Sequence, residues 1–259
     1  MSAHNLTLEH IFLAAKRLKN QVRLTPCHPS ARLSKLLGAD IHCKLENLQM
    51  TGAYKERGAL NKLMSLSTEE KAKGVFAASA GNHAQGLAFH SGRLGVQSTI
   101  FMPTRTPTIK VSRTKDYGAN VRLIGESYDD AYDACMEEVN LVGGTLIHPF
   151  DDIHVIAGQG TIGLELLDQI PDVDVIVVPV GGGGMISGIG RAVKQINPKV
   201  RIVGVEPSRI PSMARAVAGD LNPQPAVVTI ADGINVSVSR LPNLSSLSVI
   251  MCRCVVSGK

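Results

Sequence analysis

Between residues 74 and 218, short apolar runs of β type alternate with helix-length stretches, one after the other. Strands in such a chain cannot pair as tight hairpins, so the alternation predicts parallel sheets covered by helices. "GVFAAS" (74–79) reads as a strand and "NHAQGLAFHSGRLG" (82–95) as a helix. Strands follow at 98–103, 120–125, 145–149, 173–180 and 200–206. Helices follow at 108–117, 127–142, 157–169, 185–196 and 209–218. An earlier helix is expected over 6–19, where Leu6, Ile11, Ala15 and Leu18 recur at helical spacing. After about residue 236 the pattern stops.

Hydrophobic residues make up 44% of the 259 and charged residues 19%, enough for a packed core. Aromatics are only 3% and Trp is absent, so that core must be built of Val, Ile, Leu and Ala. The net charge of +5 is spread along the chain, which argues against a nucleic-acid partner. No apolar run approaches membrane length, so no membrane partner is expected. Cys27, Cys43, Cys135, Cys252 and Cys254 are odd in number and scattered, fitting neither a disulfide framework nor a zinc motif. With no signal-peptide pattern at the N-terminus, a reducing cytoplasm is the expected compartment.

Three stretches carry candidate chemistry. In "VDVIVVPVGGGGMISGIG" (173–190) an apolar strand enters four glycines and then a helix. Glycine lets the backbone approach an anion, and the helix start supplies N–H groups and positive potential. The Gly-Lys-Ser/Thr of a P-loop is missing. A G-x-G-x-x-G/A fingerprint fails, because Gly182 and Gly184 are followed by Ser187. Glu206 ends the next strand, where a ribose ligand sits in dehydrogenases, so a nicotinamide enzyme stays open as an alternative.

"ASAGNHAQG" (78–86) also leads from a strand into a helix. It offers N–H groups to a carboxylate, or Ser79 or Asn82 simply caps the helix. In "TGAYKERGALNKL" (51–63), Thr51 is a candidate cap and Lys55 falls in the first helical turn. The local field there favours the free amine over the ammonium. A phosphate loop, a carboxylate loop and a low-pKa lysine together suggest a phosphate-bearing aldehyde held as a Schiff base.

These stretches together resemble the fold-type II pyridoxal-phosphate enzymes, in particular the threonine/serine dehydratase group. "KLENLQMTGAYKERGALNKL" (44–63), "SAGNHAQG" (79–86), "AGQGTIGLE" (157–165), "VPVGGGGMISGI" (178–189), "VGVEP" (203–207) and "ADGI" (231–234) carry the likeness, in family order. The resemblance covers residues 5–236 and implies two open parallel-sheet α/β lobes of the tryptophan synthase β-like kind. The smaller lobe would span 50–149. The larger would join 1–49 to 150–236 and be incomplete, with 237–259 an atypical tail.

The cofactor implied is pyridoxal 5'-phosphate. Lys55 would carry it as a Schiff base and later move the Cα proton. Tyr54 stands where the family has an aromatic residue, and Asn82 would hydrogen-bond the ring hydroxyl. Gly181, Gly182, Gly183, Gly184 and Met185 would hold the phosphate. Ser79, Ala80, Gly81, Asn82 and His83 would grip the substrate carboxylate, with Asp232 and Gly233 near the substrate. Glu206 matches a carboxylate that binds a divalent cation in some relatives, but Ser212 replaces a further acidic ligand, so no metal is expected.

The implied reaction converts L-threonine to 2-oxobutanoate and ammonia, and L-serine to pyruvate, within a homo-oligomer. Serine racemase is the alternative activity. Racemases of this pattern carry a serine where this chain has Ala80, and a methyl group cannot transfer a proton. A truncated remnant that binds the cofactor without turnover is the other alternative.

Overall fold

A computed structural model describes residues 6–224, 227, 229–237 and 249–254, the last six through their backbone. Most of the 237–259 tail therefore lies outside the described residues. The chain opens with helix α1 (Leu8–Leu18), started by a capping box in which Thr7 and His10 bond each other's backbone N–H. Strands β1 (Cys27–Pro29) and β2 (His42–Lys44) pair antiparallel around helix α2 (Ala31–Leu37). Helix α3 (Lys55–Ser65) and the short α4 (Thr68–Ala72) lead into the first parallel sheet.

That sheet consists of β3 (Val75–Ala78), β4 (Ser98–Met102), β5 (Asn120–Leu123) and β6 (Thr145–Leu146), in the order β5-β4-β3-β6. All three pairings are parallel, in registers such as Val75↔Ser98, Thr99↔Asn120 and Val75↔Thr145. Helices α5 (Asn82–Leu94), α6 (Thr108–Asp116) and α7 (Tyr128–Val142) make the crossovers. Strand β3 is buried along its whole length. Val75 and Ala77 pack with Leu63, Leu87 and Ile100 on one face. Phe76 and Ala78 pack with Ala131, Cys135 and Val139 on the other, as the two-residue repeat of a strand requires.

Helix α8 (Ile153–Gln169) begins four residues before the sequence reading placed it. Asp152 explains the early start: its Oδ1 accepts from the N–H groups of His154 (2.8 Å) and Val155 (3.1 Å). The second parallel sheet follows, with β7 (Val175–Pro179), helix α9 (Gly184–Ile196), β8 (Arg201–Pro207) and helix α10 (Ser212–Val217). Strand β9 (Val249–Cys254) pairs parallel to β8, completing the order β7-β8-β9. This strand falls where the sequence shows no period. Its apolar run is interrupted by Arg253, and its pairing to β8 is a tertiary effect that local pattern does not carry. The core here gathers Ile176, Val178, Val180, Ile186, Ile189 and Ile202. Among the described residues no helix is long and apolar enough to cross a membrane.

Candidate active site

The start of α3 is held by two buried charged residues next to Lys55 in sequence. Glu56, fully buried, accepts at Oε2 from the backbone N–H and the hydroxyl of Thr51, both at 2.8 Å. Thr51 is thus fastened to a side chain, and Tyr54 occupies the N-cap position the sequence reading gave to Thr51. Arg57, also fully buried, donates from Nε and Nη2 to Glu46 (2.8 Å each) and from Nη1 and Nη2 to Glu165 on α8 (2.6 and 2.9 Å). Lys44 reaches the same Glu165 carboxylate and the carbonyl of Thr25. Such a network satisfies two positive and two negative groups at once, which is what makes their burial tolerable.

Lys55 itself points into a cleft between the two sheets. Its Nζ donates to the carbonyl oxygen of Pro149 at 2.8 Å and lies 5.5 Å from the ring centre of Tyr54. Burial pushes the amine down from an ordinary 10.5 to about 8. The direction matches the sequence reading, but loss of water is the cause, where the reading had named the field of the helix start. Burial likewise raises the Tyr54 hydroxyl.

Facing Lys55, the glycine run turns β7 into α9. Gly183 sits at the N-cap in the left-handed region (φ +95°), and α9 starts at Gly184. The first N–H groups of α9 have no partner within the helix and so remain available to an anion. The cleft is lined by Tyr54, Lys55, Phe150, Gly181–Gly184, Met185 and Gly233, and with the solvent at its mouth encloses about 350 Å³. A Cβ at Gly182 would fall 2.4 Å from the Phe150 ring, and one at Gly184 2.8 Å from the Phe150 carbonyl oxygen. Only glycine fits this close approach. The cradle, the α9 start with no side-chain cap and an amine lowered toward neutrality fit a phosphate-bearing aldehyde such as pyridoxal phosphate.

The 79–83 loop does not line that cleft. It stands beside it, because Gly86 lets α5 press on the first turn of α3. A Cβ at Gly86 would meet the Glu56 backbone at 3.0 Å. Neither Ser79 nor Asn82 caps α5; Gly81 is the N-cap and no side chain bonds the helix start. The Ser79 Oγ accepts from the Gly81 N–H instead (3.3 Å). Ala80 is partly buried against the first core and Asn82 is exposed. The side chain of His83 turns inward, its Nε2 2.8 Å from the Ile147 carbonyl oxygen. Asp232, its side chain 73% exposed, pairs with Lys110 on α6 at 2.8 Å and is not among the residues lining the cleft. Gly233 lines the cleft and comes near Asn82.

Glu206 is buried at the end of β8. Its Oε1 accepts from the N–H of Met213 (2.9 Å) and its Oε2 from that of Ala214 (2.6 Å), so it anchors the start of α10. Among the described residues no cluster of three or more His, Cys, Asp or Glu forms a metal site. Sequence reasoning missed Pro149, which it placed at the end of the 145–149 strand, and Phe150. An aromatic side chain in a chain so poor in them was the available signal.

Fold and cleft together describe an α/β protein with two parallel sheets and a cleft in which a lysine amine faces a glycine run. The chain belongs to the pyridoxal-phosphate dependent enzyme family, which matches residues 18–253. It is 48% identical over 235 residues to the L-threonine ammonia-lyase of Thermotoga maritima, covering 89% of this chain and 58% of that one. The chain thus spans little more than half the length of this curated relative. Among solved structures it is similar to the processed form of threonine deaminase isoform 2 from Solanum lycopersicum (TM-score 0.90, 36% identity, 95% of this chain and 69% of that one). Maize serine racemase is similar too (TM-score 0.90, 35% identity, 95% and 77%).

Proposed function

We propose that this chain is a pyridoxal-phosphate-dependent ammonia-lyase that converts L-threonine to 2-oxobutanoate and ammonia, and L-serine to pyruvate and ammonia. The observation that carries the reading is the Lys55 amine, lowered to about 8 in the same cleft as the glycine cradle. The name of the Thermotoga maritima relative supports threonine as substrate. Lys55 would hold the cofactor covalently, Gly181–Gly184 and Met185 its phosphate, and Tyr54 and Asn82 its ring. When bound, pyridoxal phosphate supplies an electron sink for negative charge at the substrate Cα.

The chain's own groups divide the remaining work. The Ser79–His83 loop, whose helix start bears no side-chain cap, binds the substrate carboxylate through backbone N–H groups. Lys55 Nζ, which reaches its unprotonated form near pH 8 where an ordinary lysine stays charged, takes the Cα proton. Phe150 and Tyr54 keep bulk water from the amine, and Gly233 closes the near edge. Water leaves across Cα–Cβ, and hydrolysis of the released product returns a water and gives the 2-oxo acid and ammonia. Ala80 has no proton to offer the opposite face of Cα, which supports elimination over racemisation.

The two sheets with their separate cores support a smaller lobe at 50–149 and a larger one at 1–49 plus 150–236. The free thiols of Cys27, Cys43 and Cys135 suit a cytoplasmic setting, and a homo-oligomer is the assembly we expect. A second reading, binding of the cofactor without turnover, is favoured by the uncovered face of the second sheet, where Val175 and Val177 are exposed. The experiment is an assay of 2-oxobutanoate from L-threonine on the chain loaded with pyridoxal phosphate. Lys55→Ala should lower the rate by about 10³-fold or more and abolish the imine absorbance. An imine without oxo-acid release establishes the second reading. D-serine formed from L-serine as fast as pyruvate would overturn the lyase assignment in favour of a racemase.

A further inference from the structure

His83 is 2% exposed, and its surroundings fix its tautomer. A carbonyl oxygen only accepts, so Nε2 carries the proton it donates to Ile147. Burial, with Lys55 and His148 nearby, pushes the imidazole down to about 3 against the weaker pull of Asp152, so the ring is neutral. Nδ1 is then a bare acceptor, buried and without a partner. An apolar residue would fill this space without leaving an orphaned nitrogen, so what the imidazole contributes is the Nε2–H bond.

That bond lands on a short segment that also receives Lys55 and packs against Gly182 and Gly184. Ile147 N–H donates to Phe76 O of β3 at 2.8 Å. Two residues on, the Pro149 carbonyl receives Lys55 Nζ. His148 Nδ1 accepts from the N–H groups of Phe150 and Asp151, closing the turn. Asp152 pairs with Lys62 of α3 at 2.7 Å. The carbonyls of residues 147 and 149 are thus held from α5 and α3 respectively. One rigid turn connects the helix of the carboxylate loop with the reactive amine.

We propose that His83 is a positioning residue for the Lys55 amine, acting through the Ile147 carbonyl and the 147–150 turn whose Pro149 carbonyl holds Nζ. The inference rests on the reading of Lys55 as the cofactor-binding amine. The test compares the full chain with His83→Leu and His83→Gln; the Gln amide keeps a donor for Ile147. Stopped-flow absorbance gives the rate of imine formation with pyridoxal 5'-phosphate. Calorimetry gives the affinity for pyridoxine 5'-phosphate, which has the phosphate but no aldehyde.

His83→Leu should slow imine formation by about tenfold, with pyridoxine 5'-phosphate affinity changed less than about threefold, because a small displacement of a reacting group is costly while the cradle is backbone of another element. His83→Gln should stay within about threefold of wild type in both. His83→Asn, too short to reach Ile147, takes the place of His83→Leu if that variant does not fold. The role is overturned if His83→Leu reacts at the wild-type rate, if His83→Gln is as slow as His83→Leu, or if both readouts fall together. A wild-type chain with no borohydride-reducible imine on Lys55 overturns the proposed function, and this role with it.

Discussion

In the first sheet, successive residues of β3 enter two different cores, Val75 and Ala77 on one side and Phe76 and Ala78 on the other. In the second, β7 reads just as apolar, yet only Ile176 and Val178 are buried while Val175 and Val177 are 39% and 62% exposed. A continuous run of Val and Ile is the signature of a strand covered on both faces. The second sheet therefore carries the sequence of a two-sided sheet and the burial of a one-sided one. The cleft tolerates this because it is made at the strand ends. The glycine run follows β7 and the 79–83 loop follows β3, at the strand ends where open α/β sheets place their ligands. What the uncovered face removes is stability beneath the cradle, with the cradle itself still formed.

The contrast can be tested at the joint between the two regions. Arg57→Ala leaves the partly buried carboxylates of Glu46 and Glu165 without their shared partner. It should cost about 3–5 kcal/mol, seen as a lower urea midpoint, and loosen both regions together. Leu87→Ala, inside the doubly covered region, should cost about 2–5 kcal/mol by the same measurement. Equal loss from the Leu87 and Val177 positions would break the comparison.

A smaller effect comes from Lys55. In the folded chain its amine titrates near 8, against an ordinary 10.5. Between those values the unfolded chain binds the extra proton, so wild-type stability rises with pH relative to Lys55→Met. Below about 8 both states are protonated and the gap between the two proteins is constant. Thermal melts from pH 7 to 10.5 should show the wild type gaining on the variant, and parallel curves would refute a buried amine. Smallest of all, Val177→Thr on the uncovered face should change stability by no more than about 0.5 kcal/mol.

Much of this was legible beforehand because it depends on local pattern. Ser127 and Asp130 form a capping box at the start of α7, and Gly143 ends it in the left-handed region, as the sequence around 127–143 announces. The glycine run likewise encodes its own geometry. The rest depends on partners far away in the chain. Thr51 looks like a cap until Glu56 claims it. Asp232 pairs with Lys110, 122 residues earlier, a partner that no local pattern around 231–234 shows. The depressed amine of Lys55 was anticipated for the wrong cause, since burial is a tertiary property. Pro149 and Phe150 carry no motif; a backbone carbonyl as acceptor leaves no mark on the sequence.

The glycine cradle has an unusual mutational signature. A site made of side chains is probed by deleting atoms, and truncation to alanine reveals which ones mattered. Under the proposed function the groups offered to the phosphate are peptide N–H groups, present whatever residue other than proline occupies the position. Alanine at Gly182 or Gly184 deletes nothing and drives a methyl into Phe150. The site is exposed to gains of matter alone, so its tolerance map should be ordered by side-chain volume, with charge and polarity secondary.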